Sequence, residues 1–366
     1  MKISVIAPSE IDEGARATWR AMQQSNPALA SPYFSPEFTM TAAAVRDDVR
    51  VAVLEEGARV VAYFPFQRGP WGACQPVGGL LSDHHGVIAD ARTTWSWQDI
   101  LRAARLDHWR FDHLVAAQAP ARVTALRASA SPALDLSKGF VAYRTARVRD
   151  SRRIGDLDRK GRKLAREVGP LRFEAYATDA QKILQHVIAW KSEQCLRTGV
   201  NDFFALGWTR ALVERVLETR EPGFTGALSA LYAGDTLVAA NMGMHSERAW
   251  HWWFPVYEHA HAKCSPGALL LLRVAEAAAE RGVSVLDLGK GDDGYKDSFA
   301  DITFPLAEGF VARPSLLNAA RSGIIRGEQW LRSSALFDPL RTKVRQLRRL
   351  RDGGAHLGPV PATADG

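Results

Sequence analysis

The chain has 366 residues, of which 46% are hydrophobic and 24% charged, and a formal net charge of +7. These values describe an ordinary soluble globular protein with material for about two domains. Three cysteines, Cys74, Cys195 and Cys264, form no CxxC and exclude a disulfide framework or a cysteine zinc site. The absence of a signal-peptide-like start or a membrane-length apolar stretch points to the cytoplasm.

In chain order, residues 3–6 read as a short strand. Ser9-Glu10-Ile11-Asp12 has capping-box spacing for a helix to about Gln24, and Asn26-Pro27 closes it. Ser35-Pro36 opens a second helix through about Val45, and residues 49–54 and 60–66 are strands joined by Glu55-Glu56-Gly57, a hairpin signal. A glycine-rich loop over residues 76–86 carries His84 and His85. It reads either as a turn with exposed imidazoles or as a substrate contact, and no metal-ligand cluster accompanies the pair in sequence. Residues 97–106 read as helix, 111–116 as strand and 141–148 as extended chain. A helix over 156–168 ends at Gly169-Pro170, a strand covers 171–176, and Thr178 with Gln181 marks the start of a long helix to about Thr198. Basic residues gather at 144–172 and 341–351, either as solvated surface or as attraction for a polyanion such as a nucleotide cofactor, an anionic lipid surface or tRNA.

An internal repeat emerges in the middle of the chain. Leu54, Gly57, Val60, Val61 and Ala62 align with Leu231, Gly234, Leu237, Val238 and Ala239 at a constant offset, 231 minus 54, or 177 residues. Each copy follows two helices and continues into a loop, a helix and a strand, which predicts two similar α/β units in tandem.

The second copy carries the most informative stretch. Aromatic residues at 250–257 form a strand. Ser265 is a plausible N-cap, Pro266 suits the first helical position and Gly267 permits close approach, so a helix opens here and runs to Arg281, closed by Gly282. Residues 283–288 form a buried strand. Strand, crossover helix and strand pair in parallel, which leaves the helix N-terminus as an anion site suited to a pyrophosphate. Gly289, Gly291 and Gly294 mimic a GxGxxG dinucleotide turn, but no helix opens in that turn and no second βαβ half follows.

Taken together, this order of elements, with Ser265-Pro266-Gly267, Leu286-Asp287-Leu288-Gly289 and Tyr295-Lys296, resembles the GNAT acyltransferase fold. More narrowly, Tyr33-Phe34-Ser35-Pro36-Glu37-Phe38, Val51-Ala52-Val53-Leu54 and Pro76-Val77-Gly78-Gly79 with Ser82-Asp83 resemble the CelD-like branch associated with cellulose and exopolysaccharide biosynthesis. The resemblance covers about residues 1–312. It implies tandem GNAT-like units, each a mixed, mostly antiparallel sheet flanked by helices, similar to Fem-type transferases. The units are expected at 1–145 and 146–312, with a helical basic extension at 313–352 and a disordered tail at 353–366.

The same resemblance implies acyl-CoA at the second unit, held by Lys263, Ser265, Gly267, Ala268 and Leu269, with no metal. For the chemistry, acyl transfer needs a base, oxyanion donors and a proton for the leaving thiolate. His251 is a base candidate or a satisfied core histidine. Asp287 interrupts an apolar strand and is a base or an ion-pair partner of Lys290 or Lys296. Asp292, Tyr295 and Lys296 follow that strand, where Tyr295 would protonate the thiolate and Lys296 would steady an anion; their alternative is a charged turn. The expected reaction moves an acyl group to an amine or hydroxyl of a sugar or amino-sugar in polysaccharide assembly. Alternatives are a Fem-like transfer from aminoacyl-tRNA, and a non-catalytic module of an assembly complex whose basic tail touches a membrane surface or partner.

Overall fold

The first half contributes strands β1 (Lys2–Ile6), β2 (Val49–Glu56), β3 (Arg59–Arg68), β4 (Ala73–Gln75), β5 (Ile88–Ala89), β6 (His108–Val115) and β7 (Thr124–Asp135), with helices α1 (Glu13–Ser25), α2 (Pro36–Ala43) and α3 (Trp97–Ala103). The second half opens with α4 (Phe140–Asp150), α5 (Arg152–Gly155), α6 (Leu157–Glu167), β8 (Leu171–Glu174), α7 (Ala180–Thr198) and α8 (Gly207–Glu218). It continues with β9 (Arg220–Glu221), β10 (Phe224–Ala233), β11 (Thr236–His245), β12 (Ala249–Tyr257), α9 (Pro266–Glu280), β13 (Val285–Asp287), α10 (Lys296–Phe299) and β14 (Ile302–Ala312). This computed structural model describes residues 1–119, 124–291, 294–315 and 318. The expected extension and tail therefore lie almost wholly outside the described residues. Residues 1–313 form one compact unit.

The repeat is real at the level of register. Leu54 pairs with Ala62, and the ladder slips before Glu55 meets Val60. At the same offset, Leu231 pairs with Ala239 and the ladder slips before Tyr232 meets Leu237. Gly57 and Gly234 turn the two hairpins at φ 64° and 56°, the left-handed region that a side chain resists.

All described strands join one sheet in the order β1-β2-β3-β4-β6-β14-β7-β13-β12-β11-β10-β8, with β5 on β3 and β9 on β10. Its ladders are antiparallel apart from β4 with β6 and β12 with β13. The two halves exchange their last strands. β7 pairs only with β13 and β14, and β14 pairs only with β6 and β7. Helices cover both faces of the second half: α9 packs with Trp250 and Trp252 on one, while α7 and α8 pack with Trp253 and Phe254 on the other.

Three local expectations are corrected. Residues 141–148, expected to be extended, lie in α4; Val141 and Val148 face solvent, and the helix is anchored by buried Tyr143, whose hydroxyl donates to the Phe299 carbonyl at 2.7 Å. α1 is capped by Asp12, whose carboxylate accepts from the Ala15 amide, rather than by Ser9. Ser265 precedes α9 but at φ 53° its side chain makes no cap, and its hydroxyl instead meets Lys160 Nζ at 3.0 Å.

Candidate active site

β12 alternates its faces, so Trp250 and Trp252 enter the core beside α9 while His251 points to the opposite side, where its ring lies edge-on to Tyr33 at 5.0 Å. β13 is short, and its parallel ladder to β12 ends at the pair His251 and Asp287. Beyond that pair β12 runs on to Tyr257 without β13, and the two strands part.

Around this point a chain of ionisable groups is assembled from both halves. His84 Nε2 meets Asp287 Oδ2 at 2.6 Å, with both residues buried. Asp287 Oδ1 accepts from the Ser131 hydroxyl at 2.5 Å and the Gly289 amide at 2.8 Å. His251 is fully buried. Its Nε2 is 2.9 Å from Asp83 Oδ2, and its Nδ1 lies 3.9 Å from Asp287 Oδ2, a charge contact without a hydrogen bond. The left-handed Gly289 closes the loop over this pair, where a Cβ would lie 3.0 Å from Asp83 Oδ2. Outward from Asp83, His113 Nε2 is 3.6 Å from Asp83 Oδ1, and its Nδ1 is 2.9 Å from Asp112 Oδ1, with the ring tilted off the hydrogen-bond line.

The electrostatics follow from this sandwich. Burial alone would lower His251, but the carboxylates of Asp287 and Asp83 outweigh it and raise its pKa to about 9. Burial raises Asp287, yet the charge of His84 and the contacts with both imidazoles hold it well below the usual carboxylate range. Asp83 is likewise pushed up by burial and held down by His251. His85 is desolvated down to about 3, so it is neutral, with Nε2–H donated to the Ser82 carbonyl at 2.9 Å. Asp112 is lowered because His113, His85 and Lys290 outweigh its burial.

The histidines of the glycine-rich loop are thus buried, not exposed in a turn, and both have cation-ligating neighbours that the sequence did not reveal. His84, His251 and Asp287 form one such group, and His85, Asp112 and His113 another, each within 4.8 Å and of a donor set that could hold a cation. Asp287 pairs with His84 rather than with either lysine considered from sequence. Lys296 is buried and donates to the Gly289 and Lys290 carbonyls at 3.1 and 3.2 Å, tying down the loop after β13. Lys290 Nζ reaches the Asp112 carbonyl at 2.9 Å. Asp292 lies outside the described residues.

A second feature opens where β12 leaves β13. A cavity of about 370 Å³ is bounded by the N-terminal turn of α9 with Ser265, Gly267 and Ala268, and by Trp252, Tyr257 and Tyr295, with Arg153, Arg197, Glu193 and Glu258 also on its wall. Lys263 is exposed and Leu269 packs into the core beside Gly161; neither lines this space. Ser265, Pro266 and Gly267, singled out in the sequence, line this cavity. Asp83, Asp112, His113 and Ser131 carried no comparable signal; only Ser82-Asp83 stood within a motif, and their partners are remote in sequence.

Three comparisons bear on this arrangement. Residues 151–297 match the family described as acetyltransferase (GNAT) domain. Among solved structures, FemX is similar with a TM-score of 0.59 at 10% identity, over 88% of this chain and 99% of that one. L-PGS from Bacillus licheniformis is similar with a TM-score of 0.51 at 12% identity, over 87% and 97%. A tandem GNAT protein from the clavulanic acid biosynthesis pathway also matches, with a TM-score of 0.46 at 12% identity over 86% and 99%. No curated protein sequence matches the chain. Residues 151–297 thus carry a GNAT-type acetyltransferase domain, which supports an acyltransferase, and the chain as a whole shares the fold of FemX.

Proposed function

We propose that the protein transfers an acyl group from acyl-CoA to an amine or hydroxyl acceptor, with the donor in the cavity at α9 and the acceptor at the Asp83 side of the buried network. The observation that carries this reading is the parting of β12 and β13 at His251 and Asp287. Past that rung β12, no longer covered by β13, lends Trp252, Pro255, Val256 and Tyr257 to a cavity of about 370 Å³, while His251 and Asp287 at the rung belong to a buried cluster of ionisable groups drawn from both halves.

The residues fit a CoA ester. At the start of α9 Pro266 has no N–H and the Ala268 and Leu269 amides donate to the Ser265 carbonyl, so a pyrophosphate would meet the Gly267 amide and the positive end of the dipole, with Lys160 on Ser265 and Arg153 and Arg197 sharing the cavity wall with Glu193 and Glu258. When bound, the thioester supplies an activated acyl carbon. Asp83, the network's solvent-facing end with its side chain 27% exposed, takes the acceptor's proton, and the adjacent imidazolium of His251 offsets the charge it carries before that transfer. Asp287, held by His84, Ser131 and Gly289, fixes His251 in this role. Tyr295, which lines the cavity, returns a proton to the departing sulfur.

The finer reading, a sugar or amino-sugar acceptor in cytoplasmic polysaccharide assembly, rests on the CelD-like motifs alone. Units at 1–145 and 146–312 are part of the same proposal. A second reading, aminoacyl transfer from tRNA, is favoured by the exposed arginines of α5 and α6, of which Arg153 lines the cavity, and by the likeness to FemX.

Calorimetry with acetyl-CoA and longer acyl-CoAs tests the first reading, with Gly267→Asp as control. A Cβ there meets only Tyr257, at 3.4 Å or beyond, and an acidic side chain suits a helix N-terminus, so the variant stays folded while its carboxylate repels the phosphates. Loss of binding in the variant is the expected result. A folded wild type that binds no acyl-CoA refutes the reading and moves tRNA ahead.

A further inference from the structure

Successive side chains on a strand point to opposite faces of the sheet. On β6, Asp112 and His113 depart from that rule because the ladder to β14 slips there. Phe111 stands opposite Gly309 and Leu114 opposite Ala307, so the two residues between them face Glu308 alone. A bulge of this kind re-aims a side chain and leaves main chain unpaired. Accordingly, Asp112 Oδ1 lies 2.9 Å from His113 Nδ1, and Lys290 Nζ supplies a donor to the Asp112 carbonyl at 2.9 Å.

A third group arrives from the glycine-rich loop. The His85 amide donates to the His113 carbonyl at 2.9 Å, and the two imidazoles meet edge-on at 5.5 Å. The Ser82 carbonyl, 2.9 Å from His85 Nε2, can only accept, so the ring proton sits on Nε2 and Nδ1 carries a lone pair. That lone pair faces Asp112 Oδ1 at 3.7 Å, with the His113 amide a long 3.4 Å away. His113 Nδ1 is itself buried and has no hydrogen-bond partner among the described residues.

Two imidazole nitrogens and a carboxylate oxygen therefore converge, one donor atom from each residue within 4.8 Å of the others. Ligands about 2.0–2.1 Å from a tetrahedral zinc ion lie about 3.3–3.4 Å apart, and the gaps of 2.9 and 3.7 Å straddle that spacing. A metal-bound imidazole also needs its other nitrogen held. The Ser82 carbonyl does this for His85, and a metal on His113 Nδ1 puts that ring's proton on Nε2, which faces Asp83 Oδ1 at 3.6 Å. Solvent reaches the fourth position, since 47% of the Asp112 side chain is exposed. The positive charge of Lys290 is partly offset by Glu308, 3.5 Å away. The group of His84, His251 and Asp287 has no such opening: all three are buried, and His84, Ser131 and Gly289 already engage both oxygens of Asp287.

We propose that His85, Asp112 and His113 bind one divalent transition-metal ion of the zinc class, with water as the fourth ligand. Imidazole ligands select such an ion over magnesium or calcium. The site stands apart from the acyl-transfer reading, because none of its three ligands has a step in that reaction. Its ion pins the loop that carries Asp83 to β6.

The test is zinc binding by the full-length chain, stripped with EDTA, dialysed and titrated by calorimetry at neutral pH. One tight ion per chain is expected, undisturbed by an excess of magnesium. Asp112→Asn and His113→Asn should each weaken binding by roughly 10²-fold or more, because losing an outer-shell partner alone costs about 10–100-fold. Urea unfolding of the stripped proteins checks that the variants keep the wild-type fold. A folded wild type that binds no zinc, displacement of zinc by magnesium, or either variant binding zinc as the wild type does overturns the site. If the variants do not fold, NMR of the wild-type histidine rings decides. Zinc must then shift the His85 and His113 signals, and a zinc-loaded protein in which those signals stay in place overturns the site.

Discussion

Asp287→Asn isolates the charge that governs the buried cluster. The asparagine keeps an oxygen for the Ser131 hydroxyl and the Gly289 amide while losing the carboxylate that faces His251 and His84. At 3.9 Å the attraction between Asp287 and a protonated His251 is about 4 kcal/mol at an effective dielectric of about 20. The whole rise of His251 from 6.5 to about 9 corresponds to about 3 kcal/mol. Asp287 therefore supplies a large share of the rise, beside Asp83 at 2.9 Å and against burial, and in the variant His251 titrates below about 9. The folded value lies above the unfolded one, so this stabilisation is fully present below pH 6.5 and disappears as pH rises through about 9. Urea unfolding at neutral and alkaline pH should show a loss of about 3 kcal/mol in the wild type that is smaller in Asp287→Asn. NMR titration of the histidine rings provides the direct assay. A His251 that still titrates near 9 in the variant, or an equal alkaline loss in both proteins, refutes this assignment.

Two further outcomes concern the scaffold. At Gly226 on β10, a Cβ would sit 1.9 Å from the Val216 carbonyl oxygen and 2.8 Å from Leu217 Cα, backbone that cannot step aside. Gly226→Ala should cost about 1–3 kcal/mol or more in urea unfolding, whereas Gly207→Ala, with nothing within 4 Å, should cost nothing; equal midpoints would refute the close approach. A fragment of residues 1–145 should lack a cooperative unfolding transition, because β7 pairs only with strands from beyond it; a sharp transition in that fragment would contradict the exchange.

Features carried by local pattern were legible in the sequence. The hairpins at Leu54 and Leu231 announced themselves because the same apolar positions flank the same left-handed glycine, and the start of α9 because Pro266 and Gly267 suit the first turn of a helix. Segments whose structure is set by distant partners were not. Val141 and Val148 look like strand residues, but they are solvent-facing, and only Tyr143, fixed by Phe299 from 156 positions away, shows why the segment coils. His84 and His85 read as a polar turn because nothing nearby buries them; His84 is buried against Asp287, 203 residues on, and Asp83 meets His251 across 168. β14 carries no strand signal of its own: it is defined by its partners, with Pro305 opposite Ala130 on β7.

The exchange of β7 and β14 has a consequence for synthesis. A chain leaving the ribosome completes β6 and β7 long before β14 exists. During that interval one edge of β6 and both edges of β7 have no strand to pair with. Such edges invite pairing with other nascent chains. The order of the ladders therefore sets a waiting time: the first half stays open until residues 302–312 emerge, and whatever shields it in that interval governs the yield of native protein.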